Sequence, residues 1–388
     1  MVAGILLGPT LLGALAPGLM TDLFTKDVKD VLSFLSSIGL SFYLFLVGLE
    51  LRSLNNGESL KQSAFLTISG FLPPFILGLM SGMLLYEKHA ASSITFWTFT
   101  LYMGVALSIT SIPMLARILQ EEKLLNTRLG NLALVSASID DALAWCFLSV
   151  VLAMAQSESI VSGLLTSAFS VFFVIMIFYV IKPLLKRYGQ HIQKKGTLTT
   201  SGLSFIIILI LLAALSTDYI GISSVFGCFV LGLAMPDTPV IHQELRSKLE
   251  DITLTLFIPI FFAVSGLNAN LLGLFNNSML AAFLLIILAS TLGKYGGCYV
   301  MMRYLKFNPR EASAFGGLMN ARGLMGLIVA NIGLSYGIIS NQIFSLIVLM
   351  SLITTALAMP IYNVSLGRGK LMRRMLTGLK NAVNSTVK

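Results

Sequence analysis

Charge is what this sequence has least of. Asp, Glu, Lys and Arg make up 11% of its 388 residues, against about 25% in soluble globular chains, too few to coat a water-soluble domain of this size. Cysteine is scarce too: Cys146, Cys228 and Cys298 fall in separate apolar stretches, without metal-site spacing and in a number that cannot all pair. They read as packing residues. No G-x-G-x-x-G or P-loop pattern occurs, so a nucleotide-driven pump has no support. The alternating ten-residue pattern of an outer-membrane barrel is missing as well.

What the chain has in abundance is apolar sequence: 56% hydrophobic residues and a mean hydropathy of +0.87. A bilayer-spanning helix takes roughly 20 predominantly apolar residues, and the sequence divides into twelve such runs. They lie near 2–20, 31–50, 62–86, 94–119, 129–155, 160–181, 198–216, 219–236, 252–267, 279–302, 311–336 and 342–364. An all-α, multi-pass membrane protein is expected. Of the 26 basic residues, 21 fall at the ends of segments 2, 4, 6, 8 and 10, in the loops after them or in the tail, against Lys26, Lys29 and Lys88 on the other side. Because basic residues collect in cytoplasmic loops, the C-terminus is expected to be cytoplasmic. The same bias accounts for the net charge of +9 without a nucleic-acid partner, and the tail at 366–388 reads as a basic membrane-surface anchor.

Internal similarity organises the segments. "FLVGLELRSL" (45–54) ends segment 2 and "FAVSGLNANL" (262–271) ends segment 9; "GILLGP" (4–9) in segment 1 matches "GCFVLGLAMP" (227–236) in segment 8. Both pairs are seven segments apart. An odd offset reverses direction, giving the inverted-topology repeat of many secondary transporters. The repeat leaves segment 7 unpaired unless a helix precedes Met1, so one further N-terminal helix, with its start outside, is expected.

Segments 4 and 11 correspond in this repeat, and both are interrupted. The first carries Ser108, Thr110, Ser111 and Pro113; the second carries Gly316, Gly317, Asn320, Arg322, Gly323 and Gly326. Non-helical backbone at membrane depth is tolerated only where it is buried in protein or lines a cavity, so two crossed broken helices are expected. Asp140 and Asp141 lie near the middle of segment 5, where an aspartate costs roughly 2.5–3.5 kcal/mol. Neighbours on a helix point about 100° apart, so the pair divides its work. Lys294, in the middle of segment 10, is the lysine at matching depth; one carboxylate pairs with it and the other stays free to exchange ions.

Taken together, "GILLGP" (4–9), "FLVGLE" (45–50), "SIDDALAW" (138–145), "GCFVLGLAMP" (227–236), "FFAVSGL" (261–267) and "LMNARGLMGLIVANIG" (318–333) resemble the monovalent cation/proton antiporters of the second class. That group includes the NapA-type exchangers, the Kef potassium efflux systems and the plant cation/proton exchangers. The resemblance implies the NhaA/NapA-type antiporter fold, named among inverted-repeat transporters. It implies that Asp141 carries cation and protons in turn and that Asp140 pairs with Lys294. Thr110, Ser111, Asn320 and Arg322 would line the crossing. It further implies a moving core at 60–155 and 279–365, a linker helix at 160–188, and scaffold and homodimer helices at 1–54 and 198–276. One departure is local: many relatives follow the segment 11 arginine with Gly-Glu, whereas Arg322 precedes Gly323 and Leu324.

Protons and a sodium or potassium ion competing for Asp141 amount to exchange, without a covalent intermediate or an organic cofactor, and the chain is not expected to be an enzyme. Three ionisable groups at one depth point to electrogenic exchange, in a bacterial inner membrane. A Kef-like efflux system lacking its regulatory domain is the alternative within the class. An intramembrane aspartyl protease is disfavoured, because its general acid and base must face each other from separate helices. The carbonyl or charge rings of a channel have no counterpart.

Overall fold

The computed structural model of the chain describes residues 2–52, 57–90, 94–125, 127–156, 160–236, 238–271 and 277–367. The basic tail expected at 366–388 lies outside them beyond Gly367. Among the described residues there is no strand; one isolated bridge joins Ala90 to Ile339. Helix is what a lipid solvent demands, since each backbone polar group must find its partner within its own segment.

Short helices α1 (Val2–Leu7), α2 (Leu12–Leu15) and α3 (Pro17–Leu23) lead into α4 (Lys26–Arg52) and α5 (Gly57–His89). A broken pair follows, α6 (Phe96–Ser108) and α7 (Ile112–Glu121), then the unbroken α8 (Arg128–Gln156). The middle of the chain forms α9 (Ile160–Met176), α10 (Lys182–Lys195), α11 (Thr200–Ile220), α12 (Ser224–Ala234), α13 (Pro239–Ile252) and α14 (Ile258–Asn268). The last part repeats the pattern of the first: α15 (Asn277–Tyr304), a broken pair α16 (Pro309–Met319) and α17 (Gly323–Ser335), and α18 (Asn341–Ser365).

Ten helices among the described residues are long and apolar enough to cross a bilayer. Of the twelve expected spans, the first and eighth are instead short apolar helices, Ala3–Leu15 and Ser224–Ala234. At 1.5 Å per residue each reaches about 20 Å or less, short of the roughly 30 Å hydrocarbon layer. Gly8 and Pro9 interrupt the first. The second is bounded by Gly221, at φ 92°, and by Pro236. Two stretches outside the twelve apolar runs are helical, the first of them begun by the linker helix expected at 160–188. Residues 182–195 continue the sixth span and 239–252 begin the ninth, each joined through a π turn, Ile177–Ile181 and Thr253–Phe257. Both π turns end two residues before a proline, Pro183 or Pro259. A proline removes one N–H and crowds the carbonyl four residues back, so the helix widens there instead of breaking.

The motif glycines turn out to be helix crossings. A Cβ at Gly48 of α4 would lie 2.3 Å from the Phe229 carbonyl oxygen of α12, and one at Gly232 of α12 would lie 2.3 Å from that of Phe45. Likewise, a Cβ at Gly4 of α1 would meet the Phe262 carbonyl oxygen of α14 at 2.8 Å, and one at Gly266 would meet the Gly4 carbonyl carbon at 2.3 Å. Small residues let backbones touch where lipid supplies no hydrophobic drive. Exchanging segment 1 with 8 and segment 2 with 9 converts one crossing into the other, as an inverted repeat requires. The broken spans are the most enclosed, with 78% of each apolar window buried, against 17% for the span through α9 and α10. The breaks therefore sit at the centre of the bundle, wrapped by α5, α8, α15 and α18.

Candidate functional site

At the centre the two breaks satisfy each other. α6 ends at Ser108; Ile109 and Ser111 are extended, and α7 restarts at Ile112 with Pro113 in its first turn, where a missing N–H is tolerated. The Ser111 N–H donates to the Ala321 carbonyl at 2.9 Å, and Thr110 Oγ1 donates to the Met319 carbonyl at 3.3 Å. In return Arg322 Nη1 donates to the Ile109 carbonyl at 3.2 Å, and its Nη2 to the Ser290 carbonyl of α15 at 2.8 Å. Lys294 Nζ donates to the Ser108 carbonyl. Two cations thus meet the orphan carbonyls at the C-terminal end of α6, where the helix dipole is negative. Arg322, which lacks the expected neighbouring acid, is held by carbonyls. Gly323 stands at φ 39°, and a Cβ there would lie 2.9 Å from Met114 Cβ, so only glycine lets the breaks approach this closely.

Two residues that the sequence did not single out complete the crossing. Thr355 Oγ1 on α18 accepts the N–H groups of Arg322 and Gly323, at 3.2 and 2.8 Å, and so caps α17 from a neighbouring helix. Ser290 holds the Arg322 fork. Each belongs to a short hydroxyl pair in an apolar run, Thr354–Thr355 and Ser290–Thr291, a pattern too common in membrane helices to mark a site.

Asp140, Asp141, Lys294 and Arg322 are all 0% exposed. Asp140 Oδ2 lies 2.7 Å from Lys294 Nζ, while Asp140 Oδ1 and both oxygens of Asp141 are buried without hydrogen-bond partners. Ser111 Oγ and Asn320 Oδ1 at the breaks are in the same condition; Asn320 Nδ2 donates to the Gly316 carbonyl at 3.0 Å. The N–H of Ile112, first in α7, approaches the Asp141 carboxylate as a backbone donor, too loosely placed to satisfy either oxygen. All seven residues singled out from the sequence are therefore gathered at or beside the crossing. Unpaired buried oxygens are rare because each costs about 1–3 kcal/mol, and hard cations take oxygen ligands. No cluster of three His, Cys, Asp or Glu residues able to hold a metal exists among the described residues.

A cavity of about 920 Å³ opens beside the crossing, with Pro113, Met114, Gly323 and Thr355 on one wall and Tyr43, Ile258 and Phe262 on the other. Around it stand Glu50, Arg117, Glu121, Arg246 and Glu250; Arg246 lies 2.5 Å from Glu250 and 3.9 Å from Glu50. Beyond the cavity the same walls are joined. Asn331 Nδ2 of α17 donates to Ser265 Oγ of α14 at 2.8 Å, and the Asn270 N–H donates to Ser345 Oγ of α18 at 3.0 Å.

Residues 1–362 match the profile of the family described as "Sodium/hydrogen exchanger, transmembrane". The chain belongs to this family. The exchanger is 41% identical over 366 residues to the Na(+)/H(+) antiporter NhaS4 of Synechocystis, covering 93% of this chain and 88% of that protein. It is 34% identical to the Arabidopsis thaliana cation/H(+) antiporter 17 and 29% identical to the yeast K(+)/H(+) antiporter 1, over 96% and 93% of this chain. Those two relatives are longer, and the match spans 45% and 42% of them. In fold, it superimposes on the sodium proton antiporter MjNhaP1 of Methanocaldococcus jannaschii with a TM-score of 0.65 at 17% identity, over 94% of this chain and 90% of that one. The architecture is that of the inverted-repeat antiporters.

Proposed function

We propose that this exchanger is a secondary active antiporter that moves a monovalent cation against protons, with Asp141 as the group both compete for. The observation that carries the reading is the contrast between adjacent aspartates: Asp140 is paired at 2.7 Å, and Asp141 is equally buried with both oxygens unpartnered. A carboxylate without a paired cation binds either a proton or a cation and cannot hold both. Lys294 and Arg322 offset the charge of the site and cap α6, so the crossing keeps its shape as guests change. The printed names of NhaS4 and the yeast relative, a Na(+)/H(+) and a K(+)/H(+) antiporter, support the cation class and leave sodium and potassium both open.

In this reading α5–α8 and α15–α18 form a moving core, while α1–α4 and α11–α14 form a scaffold that also makes the homodimer contact. The basic side is cytoplasmic, the cavity faces it, and the Asn331–Ser265 and Asn270–Ser345 hydrogen bonds close the outer side. Alternation breaks these bonds and closes the cavity. The membrane is a bacterial inner membrane, in keeping with the cyanobacterial relative. The test is a pH-gradient assay in proteoliposomes with sodium, potassium and lithium in turn. Dissipation of the gradient by at least one of them is expected; indifference to all three would refute antiport.

A further inference from the structure

Tyr43 has no part in the machinery described so far. It stands on α4, 4% exposed, with its hydroxyl buried and lacking a hydrogen-bond partner. Buried tyrosine hydroxyls ordinarily find one. Its side chain lines the cavity opposite Pro113, the second residue of α7. Glu50, seven residues on, lies on the same face of α4, about 10 Å further toward the mouth. Two carboxylates act electrostatically on Tyr43, Asp141 first and Glu50 second. Tyr43 therefore lines the open cavity within electrostatic range of Asp141, which is off the cavity wall and fully enclosed.

An unpaired phenol oxygen on one wall thus lies within electrostatic range of an unpaired carboxylate behind the other. Neither is satisfied by the protein, and both present lone pairs. A guest able to satisfy both is a partly dehydrated alkali cation, which takes oxygen ligands, and a protonated Asp141 could instead donate its O–H to the phenol.

We infer that Tyr43 is a cation ligand lent by the scaffold, whose hydroxyl oxygen coordinates the ion passing between the cavity and Asp141. This rests on the exchange reading of Asp141. Because α4 belongs to the proposed scaffold and Asp141 to the proposed core, the ligand serves only while the cavity is open. Tyr43 should then set cation affinity on that side alone.

The experiment compares wild type, Tyr43→Phe and Asp141→Asn in oriented proteoliposomes, with initial rates measured against sodium and potassium presented from either side. Tyr43→Phe keeps the ring and deletes one unpartnered oxygen, so folding should be preserved. Expected is a several-fold rise in cation KM on the cavity side, with KM on the far side and the maximal rate unchanged. In detergent, the same variant should show less thermal stabilisation by added cation than wild type. A Tyr43→Phe protein with wild-type KM on both sides, beside an inactive Asp141→Asn, overturns the ligand role and leaves the exchange reading intact. A lower maximal rate with unchanged KM also overturns it, since that marks a wall residue. Exchange surviving in Asp141→Asn overturns both.

Discussion

Replacing Lys294 by alanine should destabilise the exchanger by about 3–5 kcal/mol, the cost of stranding a buried charge. Its ammonium and the Asp140 carboxylate are 2.7 Å apart, and both side chains are wholly enclosed. Asp140 Oδ1 already lacks a partner, so the substitution leaves both of its oxygens unpaired and uncaps the Ser108 carbonyl at the end of α6. At about 1.4 kcal/mol per factor of ten, the unfolding equilibrium should shift by at least a hundredfold. The double change Asp140→Asn with Lys294→Ala removes the stranded charge and should recover part of the loss, leaving mainly the uncapped carbonyl. The assay is reversible denaturation of purified protein in mixed micelles, read as a double-mutant cycle. Single-mutant losses that simply add in the double mutant would show that Asp140 and Lys294 do not interact, and the division of labour between the two aspartates would go with them.

Further expectations follow from the same geometry. Gly48→Ala places a methyl 2.3 Å from the Phe229 carbonyl oxygen and should cost about 1–3 kcal/mol by overpacking, with Gly232→Ala costing a similar amount; wild-type melting of either would contradict the backbone contact of α4 and α12. Asn331→Ala removes the hydrogen bond to Ser265 and should raise the reactivity of a cysteine introduced at Ser345 toward a membrane-impermeant reagent added outside; unchanged labelling would count against the outer closure. Electrogenic exchange should respond to a potassium diffusion potential set with valinomycin, sodium being the transported ion, by about 2.3 kcal/mol per net charge per 100 mV. Rates that ignore its sign would mean electroneutral exchange.

The site was legible in the sequence wherever it broke the rule of its surroundings. Asp140, Asp141, Lys294 and Arg322 are charges in apolar runs, and the breaks carry proline, glycine and asparagine where a helix wants none of them. Tyr43, Thr355 and Ser290 broke no rule: a hydroxyl residue in a membrane helix is ordinary, Ser290 acts through its backbone carbonyl, and only the fold gives each its place. The differences in helix length have a physical origin as well. Hydropathy counts apolar letters, so α1 and α12 read as full spans although Gly8, Pro9 and Pro236 cut them short. The same measure misses α10 and α13, whose charged faces conceal their helical continuity with the spans beside them. The repeat glycines were legible as markers, but their contacts were not, since Gly48 and Gly232 lie far apart in the chain and meet only when α4 crosses α12.

The central claim is that Asp141, and not its paired neighbour, is where cation and proton compete. The most direct measurement is cation-dependent proton movement in proteoliposomes containing Asp141→Asn, set beside Asp140→Asn and wild type, with folding of each verified by its melting curve. The account predicts that Asp141→Asn is folded and inert to every alkali cation, while Asp140→Asn retains cation-driven proton flux with altered stability. Robust exchange by Asp141→Asn would contradict it.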